Sequence, residues 1–485
     1  MGGRMSLETR TADGWATTRF VVLGFGTAGY ACADSLLQAG AEYVVVLDDR
    51  DNEQLREKAQ ILETLGAELR LGPGSTAGLP EGTEVVVTSP GIPPYAPLLA
   101  AAAASGLPIW SEIELAWRLR DPATAAPWLC VTGTNGKTTT VQMLTAILQA
   151  AGHRAVAAGN VGLPLLEAVM DPEPYDVIAV ELSSYQLHFT DSMSAHSAAV
   201  LNIAPDHVDW HGSLEAYVKD KGRIYENCQV ACVYNVADPA TEQLVMDAEV
   251  IEGCRAIGFT LGTPGMSMVG LVDELLVDRA FVEQRASSAL ELASIDDVTP
   301  PAPHNVANAL AAAALARAFD VPATAVRDGL RGFRPDAHRI AHVAEVAGVN
   351  YVDDSKATNP HAAQASLLAY EHVVWIAGGQ AKGATFDDLV TAARGRLRGV
   401  VLLGQDKQVI AEALARHAPD VPVITVEATD TGAMQTVVGE ATKLAQQGDT
   451  VLLAPGCASW DMFANYGARG DAFAAAVHRL GDAQG

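Results

Sequence analysis

The chain has 485 residues, too many for one ordinary core and enough for two to four domains of about 100–200 residues each. With 49% hydrophobic and 19% charged residues it can bury a large core, which excludes a disordered polypeptide. Its 32 Lys and Arg against 58 Asp and Glu leave a formal net charge of −26, which argues against nucleic acid because counterion release needs clustered cations. Anionic ligands must then be held by local devices such as Gly-rich loops, helix N-termini and single basic residues.

Residues 1–18 are polar and lack the apolar centre of a signal peptide, and no run of about 18 apolar residues occurs. A cytoplasmic chain that is not membrane-embedded is expected. Met1-Gly2 with Ser6 meets the loose myristoylation pattern, which chance explains. The six cysteines (Cys32, Cys130, Cys228, Cys232, Cys254, Cys457) include no CxxC pair and read as reduced structural thiols.

Short β-type runs alternate with Ala- and Leu-rich helical stretches, predicting α/β architecture with parallel sheets covered by helices. The first block opens with a strand at 20–23, a Gly-rich turn and a helix at about 28–39. A strand at 44–47 follows, ending at Asp48-Asp49, and another at 85–88 runs into Ser89-Pro90-Gly91-Ile92. Gly24-Phe-Gly-Thr-Ala-Gly29 follows a strand, opens a helix and has Asp48 about twenty residues on, which satisfies the dinucleotide fingerprint. Alone it reads as an NAD-dependent dehydrogenase, although tight glycines and a helix N-terminus suit any diphosphate.

A Pro- and Ala-rich stretch at 121–127 separates the second block, which opens with a strand at 128–131 and a helix at 137–150. Between them lies Thr132-Gly133-Thr134-Asn135-Gly136-Lys137-Thr138-Thr139-Thr140. Small residues let backbone N–H groups turn inward around phosphates, and the helix N-terminus adds partial positive charge. Lys137 reaches the terminal phosphates in such a loop and the Thr138 hydroxyl ligates Mg²⁺. Val131 stands where the usual GxxxxGK[ST] pattern has its first Gly. An ATP site is expected here.

Strands at 177–180 and 198–203 lead into Glu181-Leu-Ser183-Ser184 and Asp206-His207-Val-Asp209. Strand C-terminal ends are where α/β sheets put ligand-binding groups. Glu181 and His207 are candidates to share a second Mg²⁺, although that ion prefers oxygen to imidazole. Capping or surface roles are the alternative for each alone. From 214 to 225, Leu214, Tyr217, Val218, Ile224 and Tyr225 form one helical face, with Lys221 on the same stripe. A snorkelling side chain explains this. So does a buried lysine whose lowered pKa leaves a neutral amine able to capture CO₂ as a carbamate.

A polar, Pro-interrupted region at about 260–303 precedes an Ala-rich helix at 305–319, where Asn305 and Asn308 share a face. Residues 332–335 read as a hinge, and the third block has strands near 349–352, 373–377, 400–403, 423–426 and 451–454.

These motifs resemble the Mur ligases, which share their fold with folylpolyglutamate synthetase. The residues that carry the likeness are Thr132 to Thr139, Lys221-Gly-Arg-Ile-Tyr-Glu226, Ser89-Pro-Gly-Ile92, Asp354-Ser-Lys-Ala-Thr-Asn359 and Pro455-Gly-Cys-Ala-Ser-Trp-Asp-Met-Phe463 through Arg469-Gly470. They run in the family's order from about 20 to 475, and the C-terminal ones narrow the likeness to the branch that adds D-glutamate to UDP-N-acetylmuramoyl-L-alanine.

The resemblance implies three domains: a Rossmann-like UDP-substrate domain (1–120), a central P-loop-type ATPase domain with a mostly parallel sheet (121–334) and a Rossmann-like amino-acid domain (335–485). Gly133, Thr134, Asn135, Gly136, Lys137, Thr138, Thr139, Asn305, Asn308, Arg339 and Asp354 would hold ATP. Two Mg²⁺ are implied, one on Thr138 and one on Glu181, His207 and the Lys221 carbamate. The UDP-linked substrate would meet Gly26, Thr27, Ala28, Asp48, Asp49, Arg50, Ser89, Pro90, Gly91, Asn160, Ser183 and His207. D-glutamate would meet Thr358, Lys382, Ser459 and Tyr466, with Ser459 just past the strand at 451–454, where a helix N-terminus suits a carboxylate.

Two positions depart from the family: Tyr466, usually Phe, and Gln380, often Asp, which leaves the charge around Lys382 different. The implied chemistry is ATP-driven amide formation through an acyl phosphate, by a monomer whose partners are small molecules.

Overall fold

The computed structural model describes residues 12–428 and 430–482, so the myristoylation pattern and most of the leader reading lie outside the described residues. The contacts divide the chain into two compact units. One runs to Pro301 and takes in Asn305–Phe333; the other comprises Ala302–His304 and everything from Arg334 on.

Runs such as Phe20-Val-Val-Leu23 and Val85-Val-Val-Thr88 are buried along their length, the pattern of parallel strands covered on both faces. In the first unit they build a five-stranded parallel sheet from β1 (Arg19–Leu23), β2 (Tyr43–Asp48), β3 (Glu68–Leu71), β4 (Val85–Thr88) and β5 (Ile109–Trp110), in the order β3-β2-β1-β4-β5.

A nine-stranded sheet in the same unit takes β6 (Trp128–Thr132), β7 (Ala155–Gly159), β8 (Val177–Glu181), β9 (Ser197–Val200), β10 (Ala231–Asn235), β11 (Arg255–Phe259), β12 (Met268–Val272), β13 (Leu275–Asp278) and β14 (Leu290–Ser294). Its order is β14-β13-β12-β11-β10-β9-β6-β8-β7. The chain leaves β6 towards β7 and β8 on one side and returns to β9 on the other. That makes β6 a switch point, where strand ends open a crevice for ligands.

Two expectations are corrected in this sheet. The strand expected at 198–203 ends at Val200, and residues 201–203 form a loop beside the phosphate loop. The region expected to be irregular at 260–303 contains β12, β13 and β14, joined antiparallel. The β12–β13 turn places Asp273 at φ 53° without the glycine that usually advertises such a turn.

The two sheets of this unit pack through shared residues. Trp117 meets Trp128 edge-on at 4.9 Å. The fully buried Glu114 carboxylate accepts from Asp191 N–H, Ser192 N–H, the Ser192 hydroxyl and Arg118. The Ala-rich helix Pro303–Ala318 buries every residue from Ala309 to Ala316, because methyl side chains let its backbone approach its neighbours closely.

The second unit holds a six-stranded sheet of β15 (Ala341–Val346), β16 (Val349–Asp353), β17 (Val373–Gly378), β18 (Leu397–Leu403), β19 (Val423–Thr425) and β20 (Thr450–Leu453), ordered β15-β16-β20-β17-β18-β19. Only β15 joins antiparallel. No helix among the described residues is long and apolar enough to cross a membrane.

Candidate functional site

The phosphate loop runs from the end of β6 to the helix Lys137–Ala150, whose bounds match the sequence expectation. Gly136 is left-handed at φ 85°, and a Cβ there would lie 2.4 Å from the Asn308 Oδ1, so Asn308 rests directly on the loop. The Lys137 ammonium folds back over the loop, donating to the carbonyls of Gly133 (2.8 Å) and Thr134 (3.0 Å). Thr138 is buried in the first helical turn. Asn305 is turned to structural use, donating to the carbonyls of Thr299 and Pro300.

Glu181 ends β8 opposite Val131, one strand from the loop, and is 2% exposed. Its Oε1 accepts from Asn160 Nδ2 at 2.7 Å, while its buried Oε2 has no hydrogen-bond partner. Lys221 is likewise 2% exposed, on the helix Leu214–Gly222. Its Nζ donates to Gly133 O at 2.9 Å and lies 4.8 Å from the Tyr217 ring. Burial, reinforced by the nearby Lys137 charge, pushes the Lys221 amine well below its ordinary value against the pull of Asp206 and Glu181. Lys221 is buried rather than snorkelling to solvent. The stripe itself is corrected: Leu214 is 37% exposed, and the helix tightens to a 3-10 turn over Arg223–Tyr225.

His207 follows β9 in the left-handed region at φ 52° and caps the short helix Val208–His211. Its ring stands 4.8 Å from Tyr185 and its Nε2 is 3.5 Å from Asp206. Ser183 caps an earlier short helix, Ser184–His188, with Gln186 closing a capping box.

Several residues of this edge were not read from the sequence. Asn202 clamps the phosphate loop: its Oδ1 accepts from Asn135 N–H (2.9 Å) and its Nδ2 donates to Asn135 O (3.0 Å). The Thr134 hydroxyl meets the Tyr217 hydroxyl at 2.8 Å, joining the loop to the Lys221 helix. Asp220, beside Lys221, accepts from His188 and His211 at 2.8 Å each, and His211 reaches Ser184 at 3.0 Å. Burial opposes ionisation of Asp220, but those imidazole hydrogen bonds outweigh it and hold its carboxyl below the usual value. Asn202 falls inside the strand expected at 198–203, so nothing in the sequence set it apart as a loop residue. The histidine pairings join residues 9 and 32 positions apart and left no local signal. Asn202→Ala removes both loop hydrogen bonds at about 1 kcal/mol each. If that loss falls on ATP binding, the KM for ATP should rise by about 30-fold in steady-state kinetics.

In the five-stranded sheet, the Gly-rich loop folds as the fingerprint requires. A Cβ on Gly29 would fall 1.8 Å from the Gly24 carbonyl, so only glycine permits that approach. The helix Thr27–Gln38 starts from Gly26, with Thr27 exposed and Ala28 half-buried. The Ser89 hydroxyl donates to Gly24 O, which brings Ser89-Pro90-Gly91 to the same end of the sheet. Asp48 is already engaged: it accepts from Phe25 N–H at 2.7 Å and from Arg50. Asp49 ties down the Gly74–Thr76 turn. A dehydrogenase acid must offer an oxygen to a ribose hydroxyl, and both Asp48 oxygens serve the protein itself.

In the second unit, the loops after β16, β17 and β20 are tied together. Gln380 and Ala458 exchange backbone hydrogen bonds, Gly456 N–H donates to Ala357 O, and the Ser355 hydroxyl donates to Tyr466 O. Arg469, 1% exposed, donates to Ser355 Oγ, Ser355 O and Cys457 O. Thr358, Lys382, Ser459 and Tyr466 therefore share one end of this sheet. Lys382 is left-handed at φ 51° with its ammonium 4.1 Å from the Trp460 ring, and Lys356 lies 4.0 Å from the Tyr466 ring. Ser459 is buried at the start of a turn, its carbonyl accepting from Met462 and Phe463 N–H, while the helix begins at Tyr466. The expected helix N-terminus at Ser459 is thus replaced by that turn.

Asp354 is buried after β16, accepting from Ile340 N–H and from the Ser366 hydroxyl, with the half-buried Arg339 close enough to favour its charge. Burial nevertheless raises its carboxyl to about 6. A folded-state value above the ordinary carboxylate means that the native state holds the proton more tightly. Its stabilising contribution is present below about pH 4 and lost as pH rises through about 6. Asp354→Asn should flatten that decline, read as urea-unfolding midpoints at about pH 4.5 and about pH 7.5.

Three family models match the chain: "Mur ligase MurD-like, N-terminal domain" over residues 18–111, "Mur ligase middle domain" over 131–316, and "Mur ligase, glutamate ligase domain" over 338–457. A protein of Streptomyces avermitilis named UDP-N-acetylmuramoylalanine–D-glutamate ligase is 66% identical over 467 residues, covering 96% of this chain and 99% of its own. One of the same name from Thermobifida fusca is 54% identical, covering 95% and 98%. Among solved structures, a UDP-N-acetylmuramate-alanine ligase of Thermotoga maritima aligns with TM-score 0.55 at 19% identity, covering 96% of this chain and 99% of its own. A MurF ligase of that organism, solved with ADP, aligns with TM-score 0.56 at 14% identity, covering 97% and 99%. These two share the fold.

Proposed function

The chain belongs to the Mur ligase family, and from that premise we propose that it joins D-glutamate to the alanine carboxylate of UDP-N-acetylmuramoyl-L-alanine. ATP is consumed to ADP and phosphate, in peptidoglycan precursor synthesis. The observation that carries the reading is the strand-end cluster of the first unit. There a phosphate loop, a buried carboxylate with an unpartnered oxygen and a buried amine meet. The name shared by relatives at 66% and 54% identity supports D-glutamate as the amino acid. Work is divided between 1–120 for the UDP-linked substrate, 121–334 for ATP and 335–485 for the amino acid, with one sheet in each.

The donor set fits Mg²⁺. Glu181 Oε2 is a hard oxygen left without a partner, and Thr138 offers a buried hydroxyl at the phosphate loop. Two ions are proposed, one at Thr138 and one at Glu181, His207 and Lys221 as its carbamate. When bound they neutralise charge on the phosphates.

The remaining work falls to the chain. A carboxylate oxygen is a poor leaving group, so the alanine carboxylate first attacks the γ-phosphorus and ADP departs. The amine of D-glutamate then attacks the acyl carbon, and phosphate leaves carrying one carboxylate oxygen. Lys137, released from the Gly133 and Thr134 carbonyls, screens the γ-phosphate. Asn308 holds the loop from behind, Asn135 is the residue through which Asn202 fixes the loop, and Gly136 and Thr139 present backbone to the phosphates. Asn160 fixes Glu181 Oε1. Arg339 and Asp354 serve ATP; Thr358, Lys382, Ser459 and Tyr466 serve D-glutamate. The Gly26–Ala28 helix start takes the UDP diphosphate, with Asp48, Asp49, Arg50 and Ser89 to Gly91 around the nucleotide, and Ser183 and His207 towards the muramoyl group. Working on soluble substrates, the protein is placed in the cytoplasm as a monomer.

The test is phosphate release from ATP, UDP-N-acetylmuramoyl-L-alanine and an amino acid. D-glutamate should support turnover at least about 100-fold faster than L-glutamate, L-lysine or meso-diaminopimelate, as expected of a site built to hold one polar substrate. Equal turnover with all four would overturn the D-glutamate assignment.

A further inference from the structure

Cys228 and Cys232, four positions apart, meet Cys254 at one end of the nine-stranded sheet. The sulfur atoms of Cys228, Cys232 and Cys254 all lie within 4.8 Å of one another, those of Cys232 and Cys254 at 3.8 Å. Cys228 and Cys232 are buried and Cys254 is partly exposed, which leaves one side open to solvent. The short loop before β11 carries Cys254 and is hydrogen-bonded to the turn carrying Cys228, through Asn227 N–H to Glu249 O and Ile251 N–H to Cys228 O. That turn follows directly on the helix that bears Lys221.

The register argues against a disulfide between Cys232 and Cys254. β10 pairs with β11 so that Cys232 faces Ala256, which puts Cys254 two positions off. Strands about 4.8 Å apart with a rise of about 3.3 Å per residue leave such a diagonal pair about 8 Å apart at Cα. A disulfide spans at most about 6.8 Å there. Three thiolates about 2.3 Å from one ion, by contrast, stand about 4 Å from each other; the Cys232 and Cys254 sulfurs are 3.8 Å apart and that of Cys228 lies within 4.8 Å of both. We propose that Cys228, Cys232 and Cys254 form a three-thiolate site for a soft d¹⁰ cation of the zinc and cadmium class, pinning the segment before β11 to the turn behind the Lys221 helix. Binding releases thiol protons to solvent and changes no oxidation state.

The experiment uses the reduced full chain titrated with Cd²⁺ in excess Mg²⁺, following thiolate-to-cadmium charge-transfer absorbance. The expected result is a step that saturates at one ion per chain. It should persist in Cys130→Ser, whose thiol lies two strands away in the row of Cys232, and vanish in Cys254→Ser. Alkylation of the unmodified chain, mapped by mass spectrometry, gives an independent reading that does not depend on a variant folding. Cd²⁺ should slow labelling of Cys254 at least tenfold. No saturable step, an undiminished step in folded Cys254→Ser, or unchanged Cys254 labelling would overturn the proposal.

Discussion

Lys221→Ala should lower kcat by about 10³-fold or more, the scale on which charge-stabilising groups act in phosphoryl and acyl transfer, and a short-chain carboxylate such as propionate should restore part of it. The reasoning starts from burial. A lysine 2% exposed has lost the water that stabilises its ammonium, so the neutral amine is favoured. That amine sits at the phosphate loop, on Gly133 O. Captured CO₂ would convert it to an anion facing Lys137, whose charge already bears on it. Alanine removes the anion but leaves the space, which is why an external carboxylate can substitute. Full activity without rescue would dispose of the carbamate.

Glu181→Gln should reduce kcat by about 10²–10³-fold while leaving the fold intact. An amide oxygen can still accept from Asn160 Nδ2, so the local hydrogen bond survives. The negative charge and the hard second oxygen do not. Because Oε2 is buried and without a hydrogen-bond partner, it contributes nothing to stability that the amide would forfeit. The Mg²⁺ concentration for half-maximal rate should rise by about tenfold or more. Unchanged Mg²⁺ dependence with lost activity would move the metal away from Glu181.

How much of this was legible in sequence follows the range of the interactions. The phosphate loop and its helix were readable because Gly133, Gly136, Lys137 and Thr138 act within one turn of chain, and the helix bounds of 137–150 held. Glu181 was readable as an acid at the end of an apolar run. Lys221 was visible as a charge on an apolar stripe, but its burial depends on Thr132, Gly133 and Tyr217, and sequence left two readings open.

Residues that act across the sheet were invisible. Asn202 grips Asn135 from 67 positions away. The β12–β13 hairpin turns on Asp273 rather than glycine, so its strands were lost in a polar region. In the second unit the motif around Ser459 suggested a helix start, whereas backbone hydrogen bonds from Met462 and Phe463 close a turn there first. The cysteines, read as scattered because no CxxC occurs, converge because β10 and β11 pair two positions out of step with them.

Carboxylate activation by ATP is tested most directly with UDP-N-acetylmuramoyl-L-alanine whose alanine carboxylate carries ¹⁸O. It would be incubated with ATP and D-glutamate, and the products read by mass spectrometry. The account predicts one ¹⁸O in each phosphate released and one kept in the new amide carbonyl, because the phosphorylated oxygen leaves with the phosphate. Phosphate free of label, formed alongside the amide product, would contradict it.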